Sequence, residues 1–231
     1  MRLSLLIATT LALSVGCSAS AAPVYAVPAP ALDDPRAPSP SVRTAVFAGG
    51  CFWCVEAVFE AVEGVVSAES GYAGGTAETA KYDLVSSGDT RHAEAVRITY
   101  DASKVTYGQL LQILFLTSDP TTKDRQGPDV GPQYRFAVFP GDEAQQRVLT
   151  AYVAQLGAAR VFEAPIVASV EPLTAFYPAE AYHQDFVRRN PGHPYVRAWS
   201  VPKLKKLLAA LPERVKASPS SPARAPNRLN Q

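Results

Sequence analysis

Ala45-Val46-Phe47-Ala48-Gly49-Gly50-Cys51-Phe52-Trp53-Cys54-Val55 is the stretch on which the reading of this chain turns. Its first four residues form a short apolar run suited to a buried strand, and the two glycines permit a tight turn. Val55, Ala57, Val58 and Phe59 then recur at helical spacing. Cys51 therefore falls at a helix N-terminus, where unpaired N–H groups and the positive end of the helix dipole are expected to favour a thiolate, the nucleophilic form of sulfur. Cys54, one helical turn on, shares a face with it, close enough for a disulfide with little backbone movement. An attacking thiol with a resolving partner is the arrangement this spacing suggests.

Outward from the motif, strand and helix patterns alternate. Gly64 to Tyr72 reads as a strand, broken by Gly71, Gly74 and Gly75. Glu94 to Tyr100 alternates clearly, with Ala95, Arg97 and Thr99 on one face and Val96, Ile98 and Tyr100 on the other. Thr106 is suited to N-cap a helix over Tyr107 to Leu116, which Asp119-Pro120 ends. Thr121 to Pro132 is a long polar loop of the kind that often carries function. Tyr134 to Phe139 and Ile166 to Val170 read as strands, Gly141 to Leu156 and Ala179 to Arg188 as helices. The expected fold is α/β, an α+β two-layer sandwich with a mixed sheet, helices packed on it, and long ordered loops and coil toward the C-terminal side.

The chain has 231 residues, 47% of them apolar, enough for one substantial domain with a sizeable core. Its formal charge of +1 gives no reason to expect nucleic acid as a partner. Met1-Arg2, the apolar run Leu3 to Val15 and the small residues Ser18 to Ala22 have the three parts of a secretory signal. The run is too short for a permanent membrane span. Residues 1–22 are thus expected to be a signal peptide and residues 23–41 a Pro/Ala-rich linker holding the domain away from it. Residues 208–231 are expected to form a disordered, weakly basic tail. Export makes the protein periplasmic or otherwise extracytoplasmic. Lipid attachment at Cys17 is a second exit, although Ser14 stands three residues before it where leucine is usual.

Three chemistries fit a Cys-x-x-Cys pair. Covalent haem needs a histidine after the second cysteine, and Val55 stands there. Structural zinc needs two further ligands, and the chain offers only His92, His183 and His193 without a second cysteine pair. A redox pair remains, with no metal or organic cofactor. General disulfide exchangers carry their aromatic residue before the first cysteine, whereas here Phe52 and Trp53 lie between the two. Those rings are either ordinary core residues or the lining of an apolar pocket for a small group such as an S-methyl.

A series of blocks in order resembles the A-type peptide methionine sulfoxide reductases. They are Gly50-Cys51-Phe52-Trp53; Tyr82, Ser87-Gly88 and His92-Ala93-Glu94; Asp119-Pro120-Thr121-Thr122; Arg125-Gln126-Gly127; Asp129-Val130-Gly131 with Gln133-Tyr134-Arg135; and Phe176-Tyr177-Pro178-Ala179-Glu180 with Tyr182-His183-Gln184. They span a domain over residues 42–207. The resemblance implies reduction of methionine S-sulfoxide, free or in proteins, with Cys51 attacking the sulfoxide sulfur and Phe52 and Trp53 receiving the methyl group. It makes Glu94 the acid that protonates the oxygen, helped by Tyr82 and Tyr134, and Asp129 a substrate-orienting residue. Without it, Glu94 reads as a solvated surface acid at a strand end, the tyrosines as packing residues and Asp129 as a turn former. Many relatives carry resolving cysteines near the C-terminus. Here none stands there, so Cys54 or an external thioredoxin-like dithiol resolves the sulfenic acid left on Cys51. Arg91, Ser118 and Phe136 depart from the usual glycine, histidine and serine. The competing readings are a general thiol-disulfide oxidoreductase and a noncatalytic module binding oxidised peptides.

Overall fold

The structure is a computed structural model that describes residues 26–217. The expected signal peptide, Cys17 and residues 218–231 of the expected tail lie outside the described residues. In chain order the elements are β1 (Val42–Gly49), α1 (Phe52–Glu60), β2 (Val65–Ala73), α2 (Tyr82–Ser86), β3 (Ala93–Asp101) and α3 (Tyr107–Thr117). The short strands β4 (Arg125–Gln126) and β5 (Asp129–Val130) sit inside the long loop. After them come β6 (Phe136–Phe139), α4 (Glu143–Ala158), β7 (Ser169–Val170), β8 (Phe176–Pro178), α5 (Phe186–Arg189) and α6 (Val201–Ala210).

Six strands form one mixed sheet in the order β7-β6-β1-β3-β2-β8, antiparallel except where β7 joins β6. Strand parity decides what each face carries. Ala45 and Phe47 of β1 and Val96, Ile98 and Tyr100 of β3 enter the main core with Val58 and Phe59 of α1, Leu110 and Leu114 of α3 and Leu149 of α4. Each large apolar side chain buried there contributes roughly 1.5–3 kcal/mol, so packing rather than helix propensity holds the helices. The other face carries Val46, Ala48, Ala73, Ala93, Ala95, Ala137 and Phe139, with Leu173 and Phe176 packed on it. Its alanines leave room for coil to lie close, so this layer needs no helix.

Helix starts show how local sequence and tertiary context divide the work. α3 has the expected cap: Thr106 Oγ1 accepts from Gln109 N, and Gln109 Oε1 accepts from Thr106 N, both at 3.2 Å. α1 has no side-chain cap of its own at Cys51. Its first N–H is taken by a carboxylate from β3, described below.

Several expectations are corrected. Residues 26–41 do not form a spacer. Val27 is buried, its carbonyl accepts from Gln112 Nε2, the Pro28 carbonyl accepts from the Tyr152 hydroxyl, and Asp33 accepts from Thr106 Oγ1 and Gly108 N at the start of α3. Proline removes donors but leaves carbonyls, so a proline-rich strap can lie on helices that present donors. The domain also continues beyond Leu207. α6 runs to Ala210, a 3₁₀ turn covers Pro212–Arg214, Val215 bridges to Val62, and Arg214 Nη1 donates to Gln109 Oε1 at 2.9 Å. The strand expected over Ile166 to Val170 narrows to the two residues of β7, and Tyr134 lies in a 3₁₀ turn over Pro132–Tyr134 just before β6. Only Phe186–Arg189 of the helix expected over Ala179 to Arg188 forms. Asp185 has φ 54°, and Gln184 binds both the N–H and the C=O of Ser70, tying this segment to β2 instead.

Candidate active site

The antiparallel pairing of β1 with β3, with Phe47 opposite Val96, brings the end of β1 alongside the start of β3. Gly50, at φ 90°, makes the turn from strand to helix, and a Cβ there would fall 2.4 Å from Gln126 Cγ. Cys51 follows at the head of α1. Glu94 has the parity of Val96 and Ile98 and so faces the helices, only 2% exposed, where Oε2 accepts from Phe52 N at 3.0 Å. The acid that reads as solvated in sequence is therefore buried under the N-terminus of α1. Burial is the main influence and raises its pKa from 4.5 to about 8; the Phe52 N–H opposes the rise, while Asp129 and Cys54 add to it. Glu94 consequently holds a proton at neutral pH.

The cysteines divide the charge in a way the helix position alone does not foretell. Both are free and buried. Desolvation, then the hydrogen bond to Cys54 and the nearby Glu94, push Cys51 well above an ordinary thiol, which corrects the expectation of a Cys51 thiolate. The positive helix end is already occupied by Glu94, and desolvation outweighs what remains of its field. Cys54 goes the other way, to about 7. The hydrogen bond from Cys51 contributes most, and Lys203, Ser200 and Tyr195 lower it further against the cost of burial. The two sulfurs form a coupled pair that shares one proton.

The remaining expected residues gather around the same point. Burial, together with Glu94 and Cys51 nearby, raises both the Tyr82 and Tyr134 hydroxyls, Tyr82 to about 12, so each stays a donor. Phe52 is fully enclosed, with its ring 5.9 Å from that of Tyr72 and 4.9 Å from that of His183. Trp53 is partly exposed, stacks on Phe186 at 3.7 Å and donates from Nε1 to His183 Nδ1 at 3.0 Å. An indole N–H only donates, so the neutral His183 proton belongs on Nε2, which is buried without a partner among the described residues. Asp129 accepts from the Tyr195 hydroxyl and stands close enough to raise the pKa of Glu94, Tyr82 and Tyr134.

Sequence reasoning missed the C-terminal contribution. Tyr195, Trp199, Pro202 and Lys203 join Cys51, Cys54, Gln126 and Asp129 around a cavity of about 200 Å³. Ser200 Oγ lies 3.1 Å from Cys54 Sγ. Lys203 Nζ donates to Gly49 O and Ser118 Oγ, each at 3.1 Å. The available signal was helical periodicity. Val196, Ser200, Lys203 and Leu207 fall on one face, Val196, Ser200 and Leu207 are buried, and a serine and a lysine on such a face call for a partner inside.

Away from the cysteines, Glu56, Glu60 and Asp185 bring ligand oxygens within 4.8 Å of one another. Glu56 is already engaged by Ser70 Oγ at 2.8 Å and Asp185 N at 3.0 Å.

Known proteins resemble both the sequence and this arrangement. A family profile described as peptide methionine sulfoxide reductase matches residues 43–214. The chain is 51% identical over 174 residues to peptide methionine sulfoxide reductase MsrA 2 of a Synechocystis species, covering 75% of this chain and 81% of that one. It is 48% identical over 170 residues to peptide methionine sulfoxide reductase MsrA of Deinococcus radiodurans, covering 74% and 82%. Among solved structures, reduced Mxr1 of Saccharomyces cerevisiae matches with a TM-score of 0.61 at 30% identity, over 68% of this chain and 90% of that one. Methionine sulfoxide reductase A of Corynebacterium diphtheriae matches with a TM-score of 0.58 at 29% identity, over 72% and 87%.

Proposed function

The chain belongs to the peptide methionine sulfoxide reductase family, and from that membership we propose that it reduces methionine S-sulfoxide, free or in proteins, at Cys51. Cys54 is the resolving thiol and an external thioredoxin-like dithiol the reductant. The observation that carries the reading is the Glu94 carboxyl, kept protonated by burial and fixed to Phe52 N–H beside the Cys51 sulfur. A sulfoxide oxygen leaves sulfur only as it gains a proton, and a carboxyl with a pKa near the working pH is suited to supply one.

The steps follow from the protonation states. The shared proton passes to Cys54, and Cys51 Sγ attacks the sulfoxide sulfur as Glu94 protonates its oxygen. Attack joins Cys51 Sγ to the substrate sulfur; the protonated oxygen then passes to Cys51 Sγ as both the substrate S–O bond and the new S–S bond break, methionine leaves reduced by two electrons, and Cys51 is left as a sulfenic acid. Cys54 then attacks that sulfur. An S–S bond forms, the S–OH bond breaks, and the hydroxyl takes the Cys54 proton and departs as water. Solvent reprotonates Glu94, and the external dithiol reduces the disulfide. Tyr82 and Tyr134 donate to the oxygen, and Trp53 receives the methyl group with Phe52 backing it.

Export is part of the reading, supported by the charged, apolar and small-residue order of residues 1–22. The reductant then faces the periplasm or exterior. No helix among the described residues is long and apolar enough to cross a membrane.

Mass spectrometry after one turnover without reductant tests the assignment. A Cys51–Cys54 disulfide is expected, Cys54→Ser should accumulate the Cys51 sulfenic acid, and Cys51→Ser should release no methionine. Wild-type protein that stops at sulfenic acid would remove Cys54 as the resolver. Vigorous insulin reduction without sulfoxide turnover would favour the disulfide exchanger.

A further inference from the structure

The C-terminal segment reaches the resolving sulfur with a hydroxyl and a cation, neither of which the sulfoxide chemistry uses. Ser200 ends a π-helical turn over Val196–Ser200 that leads into α6. Inserting this wider turn sets the register in which Ser200 lies 3.1 Å from Cys54 Sγ while Lys203, less than a turn later, reaches under the Gly49-Gly50 bend. The Lys203 ammonium is fixed by the Gly49 carbonyl and Ser118 Oγ, both uncharged, and among the described residues no carboxylate is bonded to it. Lys203 is half-buried, and a cation beside neutral acceptors on a cavity wall acts on the nearest ionisable groups more strongly than it would in open water. Those groups are Cys54 and Cys51 on α1 and Asp129 on β5, each of which in turn favours the charged form of Lys203 against its burial. Glu94 from β3 and the hydroxyls of Tyr82, Tyr134 and Tyr195 also face the sulfurs, and Lys206 of α6 opposes the charge on Lys203.

We propose that Lys203 is a positioning residue for the resolving sulfur: with Ser200, it stabilises negative charge on Cys54, so that once Cys51 has become a sulfenic acid Cys54 gives up its proton readily and attacks it. The inference rests on Cys54 being the resolver and names what makes it one. An uncharged Cys54 thiol, 2% exposed and held in a helix, would lose its proton only at high pH and would resolve slowly. The lysine supplies locally the charge that keeps the reaction fast near neutrality. The direction of the effect on Cys54, down to about 7, agrees with it.

The test compares wild type with Lys203→Met, Lys203→Arg and Ser200→Ala. Thiolate formation is followed by ultraviolet absorbance across a pH range, and disulfide formation by rapid quench with methionine sulfoxide. Lys203→Met should raise the lower apparent pKa of the pair by about one unit and slow disulfide formation about tenfold at neutral pH, with the defect shrinking as pH rises. Lys203→Arg keeps the charge and should recover most of both. Ser200→Ala leaves the Lys203 contacts in place and should move the pKa in the same direction by about half a unit. A merely structural role for Lys203 would change stability without this pH signature. If a folded Lys203→Met protein, or a folded Ser200→Ala protein should the first not fold, titrates as wild type does, the inference is overturned. If instead wild-type protein turns over one sulfoxide without forming the disulfide, the resolver assignment fails, whatever the titration shows.

Discussion

Glu94→Gln separates the chemical role of the acid from its structural role, because the two respond in opposite directions. The glutamine amide keeps an oxygen to accept from Phe52 N–H but has no acidic proton to deliver and no charge to bury. In the folded protein the Glu94 pKa is about 8, against 4.5 for an ordinary carboxyl. At pH 7 the unfolded chain has it ionised and the folded chain has it protonated, so folding takes up a proton. Stability from this group is complete below about pH 4.5 and is lost progressively as pH rises toward 8. The loss at pH 7 spans about two and a half pH units, which at ~1.36 kcal/mol each comes to about 3 kcal/mol. The variant should therefore equal wild type in stability near pH 4 and exceed it by about 3 kcal/mol at pH 7. Over the same interval its sulfoxide reduction should fall by about 10² or more. Denaturant unfolding at the two pH values, beside initial rates of methionine formation, measures both. A variant that is active within a few fold, or whose stability difference from wild type is the same at both pH values, would refute the reasoning.

Other consequences are more direct. The free-enzyme pH profile of kcat/KM should be a narrow bell, rising as the sulfur pair loses its first proton near 7 and falling as Glu94 loses its own near 8; Glu94→Gln should erase the alkaline limb. His183→Ala removes the acceptor for Trp53 Nε1 and should raise KM about fivefold with a smaller effect on kcat, which steady-state rates on a sulfoxide peptide would show. Asp33→Ala leaves the Thr106 hydroxyl and Gly108 N without their acceptor and should cost about 1–2 kcal/mol in denaturant unfolding while leaving kcat/KM unchanged. Gly50→Ala forces a side chain into positive φ and into Gln126, and should destabilise by about 2 kcal/mol or more with loss of activity.

The fold was legible where one face of an element is buried. The alternation of Glu94 to Tyr100 fixes β3 and its faces, and the spacing of Leu110, Leu111 and Leu114 fixes α3, because burial of one side imposes a period on the sequence. Residues 179–188 were misread because Gln184 and Asp185 are placed by contacts with β2 and a left-handed backbone angle, neither of which has a period. The strap over residues 26–41 was misread for a related reason: proline-rich composition is compatible with a free linker and with a packed acceptor strand, and only donors on distant helices, such as Gln112 and Tyr152, decide between them.

By itself the sequence determined the Cys51–Cys54 pair at a helix start, the aromatic spacer between them and the order of motifs that places the chain among sulfoxide reductases. These are local facts of type and spacing. Protonation was not among them, since a pKa depends on what surrounds a group in three dimensions. Only the antiparallel pairing of β1 with β3 puts Glu94 under α1, where desolvation keeps it an acid. The distant C-terminal segment returns with Ser200 and Lys203 beside Cys54, where they add to the Cys51 hydrogen bond in drawing negative charge onto Cys54.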